Sequence, residues 1–116
     1  MKLSNTLTLK LTGATMKTEK DLHNYMKKEC KRSGIGFYKL NCEGQTGFPD
    51  LMMVYDGYTI LVELKTPAGT GRVSDRQKYM INKLMNQGAE VYIIDSKEQA
   101  DEIITDIIHR RSDLSD

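Results

Sequence analysis

Near the start of the chain, apolar and polar positions alternate, with Leu7, Leu9 and Leu11 separated by single polar residues. A period of two predicts a strand with one apolar face. Lying ahead of the first helix, residues 3–11 read as an edge strand or as an arm that pairs with a second chain. From Thr18 the period becomes helical. Thr18 with Asp21 resembles a capping box, and Leu22, Tyr25, Met26 and Cys30 form the buried stripe. Lys27, Lys28, Lys31 and Arg32 crowd the last turns, where cations suit the helix dipole, and Gly34 suits the stop. Residues 36–42 read as a strand, followed by a polar loop from Glu43 to Gly47. Two apolar runs, Leu51–Tyr55 and Tyr58–Leu64, are separated only by Asp56-Gly57, the signature of a type I′ hairpin. A loop from Thr66 to Val73 carries Pro67, Gly69 and Gly71. Ser74 with Gln77 is a second capping box. It opens a helix that ends near Gly88 and buries Met80, Ile81, Leu84 and Met85. Glu90–Asp95 is a last core strand. Ser96 with Gln99 opens the final helix, marked by Ile103, Ile104, Ile107 and Ile108. The pattern predicts an α/β fold in the order (β)-α-β-β-β-α-β-α.

The hairpin aligns chemistry. With Asp56 and Gly57 as the turn, Tyr55 faces Tyr58 and Asp50 falls opposite Glu63. Directly opposed residues share a face, with Cβ atoms roughly 4.5–5.5 Å apart. Lys65, two residues beyond Glu63, projects from that face too. Both faces of the hairpin are apolar: Met52, Val54 and Leu61 on one, Leu51, Met53, Ile60, Val62 and Leu64 on the other. Such strands are expected to be buried on both sides. Two like charges facing each other at the end of a buried hairpin are destabilising. A hard divalent cation resolves the conflict by taking carboxylate oxygens, and the lysine offsets further charge. A plain acid–lysine salt bridge at a sheet edge is the structural alternative. The chemistry this set suits is phosphodiester hydrolysis: a metal polarises the phosphate, and a lysine orients or deprotonates water and offsets developing charge.

Composition narrows the setting. The chain has 116 residues, 39% hydrophobic and 28% charged, which suits a single soluble domain over 1–116. No apolar run is long enough to span a membrane, and the first residues have no compact apolar core of a secretion signal, so a cytoplasmic setting is expected, a host's cytoplasm if the source is viral. Cys30 and Cys42 form no CxxC pair and lie far from His23 and His109, so zinc is not expected, and both thiols read as small apolar packers. The net charge of +1 is uneven: residues 95–116 hold seven acids against three bases, leaving +5 on the remainder. The body can thus offer a positive surface to a polyanion, although charge alone fits a solvated surface equally well.

Gly47-Phe48-Pro49-Asp50, followed thirteen residues after Asp50 by Glu63-Leu64-Lys65, resembles the PD-(D/E)XK nuclease motif. The detailed fit is to the VRR-NUC branch, the virus-type replication and repair nucleases. Glu19 early in the first helix, Val62-Glu63-Leu64-Lys65, Arg72-Val73-Ser74 leading to Gln77, and Gly88-Ala89-Glu90-Val91-Tyr92 support it. The resemblance covers about residues 17–104, with 1–15 as the arm and 105–116 as the helix end and tail. It implies a restriction-endonuclease-like core, a mixed central sheet flanked by helices. It implies Mg²⁺ or Mn²⁺ held by Glu19, Asp50, Glu63 and the Leu64 backbone carbonyl, with Lys65 as the catalytic lysine and Gln77 beside it. It also implies cleavage leaving a 5′-phosphate. Short stand-alone members look like four-way (Holliday) junction resolvases and tend to be homodimers.

Individual residues keep a second reading. An acid at Glu19 suits the helix dipole in any case. Gln77 serves the capping box of Ser74, and one rotamer is not expected to satisfy both that role and the site. Arg72, Lys20 and Lys39 are candidate phosphate contacts, Arg72 being as readily a solvated loop residue. Gly69-Thr70-Gly71 is not a P-loop, since no Gly-Lys-Ser/Thr follows. His23 reads as an ordinary helix-surface residue, and Tyr38, Tyr55 and Tyr58 as packing residues before base-stacking ones. The expected function is a structure-selective DNA endonuclease acting on branched DNA, with replication or repair proteins as further partners. The alternatives are a nicking or flap endonuclease and a non-catalytic DNA-binding module.

Overall fold

A computed structural model describes residues 17–67 and 72–114, the side chains as far as Arg110. The strand or arm expected at residues 3–11 and the segment Gly69-Thr70-Gly71 lie outside the described residues. The elements are α1 (Glu19–Ser33), β1 (Gly36–Lys39), β2 (Leu51–Tyr55), β3 (Tyr58–Leu64), α2 (Asp75–Asn86), β4 (Val91–Ile94) and α3 (Lys97–Leu114). They build one mixed four-stranded sheet in the order β1-β2-β3-β4. β1, β2 and β3 run antiparallel in sequence, and β3 and β4 are parallel, joined by the crossover through α2. The α/β order expected from the pattern is the order observed.

Local chemistry sets each boundary. The Thr18 hydroxyl accepts from the Asp21 amide while the Asp21 carboxylate accepts from the Thr18 and Lys17 amides, a closed capping box. The same device opens α2 at Ser74. At α3 the Gln99 side chain reaches one residue further back, to the Asp95 amide, while the Ser96 hydroxyl accepts from Gln99. Asp56 and Gly57 take φ of 48° and 89°, the left-handed pair that a type I′ turn requires. The turn pairs Tyr55 with Tyr58 and Leu51 with Val62, the register expected from the two-residue turn. β1 ends earlier than the expected 36–42, because Lys39 is opposite Leu51, the first residue of β2. One further bond, Leu40 N–H to the Asp50 carbonyl at 2.7 Å, closes the ladder before the chain turns at Cys42–Gln45.

One face of the sheet carries the core. Leu51, Met53, Ile60, Val62, Leu64 and Ile94 pack against Leu22, Met26 and Cys30 of α1 and Ala100, Ile104 and Ile107 of α3. Burial pushes the Cys30 thiol up to about 12, so it behaves as an apolar packer. Cys42 differs from that expectation: it lies exposed in the turn after β1. His23 is also not a plain surface residue. Its ring meets Phe37 edge-on at 5.2 Å, and its Nε2 is buried with no hydrogen-bond partner. Tyr55 and Tyr58 pack partly buried against the core as expected, whereas Tyr38 is exposed.

The other face is covered thinly, contrary to the expectation of a hairpin buried on both sides. Met52, Val54 and Leu61 are only half-buried, and Ile93 is exposed. Among the described residues, α2 is the helix over this face, burying Met80 and Ile81 and touching β4, while Met85 stays outside.

Arg110 ties the end of α3 to the sheet. Its guanidinium donates to both Glu90 oxygens at 2.6 and 2.7 Å, to Asp106 at 2.7 Å and to the Tyr92 hydroxyl, and it stands 5.5 Å from the Tyr58 ring centre. Arg110 holds the Glu90 carboxyl below its ordinary value. A depressed carboxylate stabilises the fold above its unfolded value and loses that contribution as pH falls through the folded one. Arg110→Met is therefore expected to cost about 1 kcal/mol near neutral pH, the partial exposure of Glu90 keeping the pair weak. Urea midpoints of the two proteins should converge in acid; a gap unchanged at pH 3 would assign the loss to packing alone.

Candidate nuclease site

Asp50, Glu63, Lys65 and Gln77 meet where β2 begins and β3 ends. Pro49 is fully buried and anchors the turn that delivers Asp50, whose carbonyl accepts the last bond from β1. Continuing the observed register by one pair places Asp50 across from Glu63. Lys65 follows β3 directly, and its amide donates to the Ile94 carbonyl at 2.9 Å, which ties this residue to the end of β4.

Glu63 is 2% exposed and is the buried charged residue among the described ones. A carboxylate out of water needs partners. Its Oε2 has them: Gln77 Nε2 donates at 2.6 Å, and Lys65 Nζ stands at 3.3 Å. Its Oε1 is buried with no hydrogen-bond partner. Burial first, and the negative charge of Asp50 second, push the Glu63 carboxyl above its ordinary value, and Lys65 together with the nearby Asp50 backbone amide opposes them only in part. The geometry thus leaves one oxygen of a buried acid free beside a second acid, a donor set that suits a hard cation.

Gln77 holds this arrangement. Its Oε1 accepts from Lys65 Nζ at 2.8 Å and from the Ser74 amide at 2.9 Å, while Nε2 faces Glu63. The expectation that capping and site roles compete for the Gln77 rotamer is corrected here: one rotamer serves both. The physical reason is that the amide oxygen has two lone pairs, one for each donor, and the amide nitrogen is left for the carboxylate. The two donors on Oε1 also settle which way the amide points. Ser74, read from sequence only as a cap, therefore acts on the site through its backbone amide.

The remaining sequence candidates are placed differently. Glu19 begins α1 and is exposed. Among the described residues no group of three or more His, Cys, Asp or Glu side chains is placed to hold a metal ion. Leu64, whose carbonyl is a candidate ligand, closes β3 with its side chain in the core. Lys20, Lys39 and Arg72 are all exposed. Lys39 ends β1 beside Leu51, and Leu51 follows Asp50 directly.

If Asp50 and Glu63 repel, Asp50→Asn should stabilise the metal-free fold by about 0.5–1 kcal/mol, the size of an opposed like-charge pair. The sign follows from linkage. A raised carboxyl holds its proton in the fold longer than in the unfolded chain, so its charge costs stability only above the ordinary value. The gain should appear in denaturant melts with chelator at neutral pH and shrink in acid; equal or lower stability at pH 7 would mean the two acids do not oppose each other.

Comparison with known proteins places this geometry in a family. The VRR-NUC domain model matches residues 5–98. A solved structure of a VRR_NUC domain superposes with a TM-score of 0.65 at 26% identity, over 76% of this chain and 96% of that one. None of the curated proteins matches the chain. With the matched span covering most of the sequence, the chain belongs to the VRR-NUC domain family, a family of nuclease-type domains.

Proposed function

We propose that the protein is a Mg²⁺- or Mn²⁺-dependent, structure-selective DNA endonuclease that hydrolyses phosphodiester bonds of branched DNA, four-way junctions above all, as a homodimer. The observation that carries the reading is the free, buried Oε1 of Glu63 next to Asp50. A buried oxygen without a hydrogen bond, in a carboxyl group close to a second acid, costs a fold stability, whereas a cation-binding site uses both. Asp50 and Glu63 would hold the ion, with the Leu64 carbonyl and Glu19 as further ligands. The bound ion would supply Lewis-acid polarisation of the scissile phosphate.

The chain's own residues supply the rest. Lys65, half-buried and held by Gln77 and Glu63, presents a fixed positive charge where a phosphate gains negative charge on attack by water. Its ammonium would orient that water, and in its neutral form the amine would take the proton the attacking water gives up. Gln77 fixes both partners of this ion pair, donating to Glu63 and accepting from Lys65. Cleavage would leave a 5′-phosphate and a 3′-hydroxyl. Arg72, Lys20 and Lys39 are the proposed phosphate contacts, and they would read backbone shape, not base edges. Two symmetric cuts in a junction call for two sites, which a homodimer provides. Replication or repair proteins are proposed as further partners.

Synthetic four-way junctions, flaps and linear duplexes incubated with Mg²⁺ or Mn²⁺ test the proposal. Junctions should be cut in preference, chelator should stop the reaction, and Lys65→Ala should slow it by roughly 10²–10⁴-fold while DNA binding is retained. Wild-type rates from the Lys65→Ala protein would end the mechanism. Equal cutting of all three substrates would discard junction preference in favour of a nicking or flap activity, and binding without cutting would point to a DNA-binding module.

A further inference from the structure

We infer that Gly47 is a positioning residue for the candidate site: its lack of a side chain lets the Gly47–Asp50 turn rest on the backbone of the first turn of α2, and this contact sets the Gln77 amide between Glu63 and Lys65. The catalytic consequence rests on the nuclease reading above; the positioning itself does not.

A Cβ added at Gly47 would stand 2.8 Å from the Arg76 carbonyl oxygen, 2.9 Å from its carbon and 3.1 Å from the Gln77 amide nitrogen. All three are helix backbone atoms. A side chain could swing away from such a contact; a helical backbone moves only as a unit. The helix that would have to move is the one whose start carries the site's bridging group. Its Ser74 amide and its Gln77 side chain converge with Lys65 on one amide oxygen, and Gln77 Nε2 is 2.6 Å from Glu63. Hydrogen bonds this short do not survive a displacement of about 1 Å. The turn that touches α2 is also the one that delivers Asp50, three residues on, so a single backbone contact sets the spacing between the two halves of the site.

Gly44 separates this contact from backbone strain. It lies in the same loop with φ of +78°, close to the +85° of Gly47, yet a Cβ there would meet nothing within 4 Å. An alanine at either position suffers the left-handed backbone, and only one at Gly47 strikes α2.

The test compares the full-length wild type with Gly47→Ala, Gly47→Asn and Gly44→Ala. Asparagine tolerates the left-handed region better than alanine and still carries a Cβ, so Gly47→Asn serves where Gly47→Ala does not fold. Readouts are the thermal midpoint, the side-chain amide resonances of Gln77 in ¹H–¹⁵N spectra, Mg²⁺ binding by calorimetry, and kcat and KM on a four-way junction. Gly44→Ala should lower the midpoint and leave the Gln77 resonances and Mg²⁺ affinity in place. The Gly47 variants should shift those resonances, weaken Mg²⁺ binding by about 10-fold or more, as loss of a supporting contact does, and lower kcat more than they raise KM. A folded Gly47 variant with wild-type Gln77 resonances and Mg²⁺ affinity would overturn the inference, as would equal shifts in Gly44→Ala. A wild type that neither binds Mg²⁺ nor cuts DNA would instead sink the nuclease reading, and the resonances would still decide the role of Gly47.

Discussion

The buried carboxylate of Glu63 is the constraint around which the domain is arranged. Removing a carboxylate from water costs several kcal/mol unless its oxygens find donors. Here one oxygen is held by Gln77 and approached by Lys65, and the other is buried without a hydrogen-bond partner. Each neighbouring element contributes to that balance. The type I′ turn brings Asp50 opposite, the parallel pairing with β4 anchors the amide of Lys65, and the start of α2 delivers the bridging amide. An acid of this kind is poorly placed for stability alone and well placed to receive a cation.

Helix capping and site assembly share one side chain. In most helices the N3 glutamine of a capping box ends its work at the cap. In α2 the amide of Gln77 has two faces, and the face not needed for the cap is turned toward Glu63. The coupling means that the site is built only when α2 starts at Ser74 and sits on the Gly47 turn. The sheet is covered unevenly. The face packed by α1 and α3 carries the core, whereas α2 lies over the second face near β4 and leaves Met52, Val54 and Leu61 half-buried. Stability is concentrated on one side of the sheet, and the chemistry stands at the end of the other.

The last helix, α3, has side-chain ties of its own. Arg110 joins α3 to Glu90, Tyr92 and Tyr58, while Tyr25 on α1 donates to Asp101 on α3, which also receives Lys97. None of these ties involves Asp50 or Glu63.

Much of this was legible in the residues alone. Periodicity, three capping boxes and the Asp56-Gly57 turn determine the elements, because those are local effects of side-chain spacing and backbone preference. A two-residue turn admits one register, so the opposition of Asp50 and Glu63 followed as well, and the spacing of Pro49-Asp50 and Glu63-Leu64-Lys65 pointed to the family. Tertiary structure decided what local sequence cannot carry. Whether the second face is covered depends on where the crossover helix lands. That Cys42 is exposed and His23 packs on Phe37 depends on where β1 ends and which way α1 is rolled. That Gln77 serves cap and site together depends on the start of α2 meeting the end of β3, residues far apart in the chain and joined only through packing, where no spacing rule reaches.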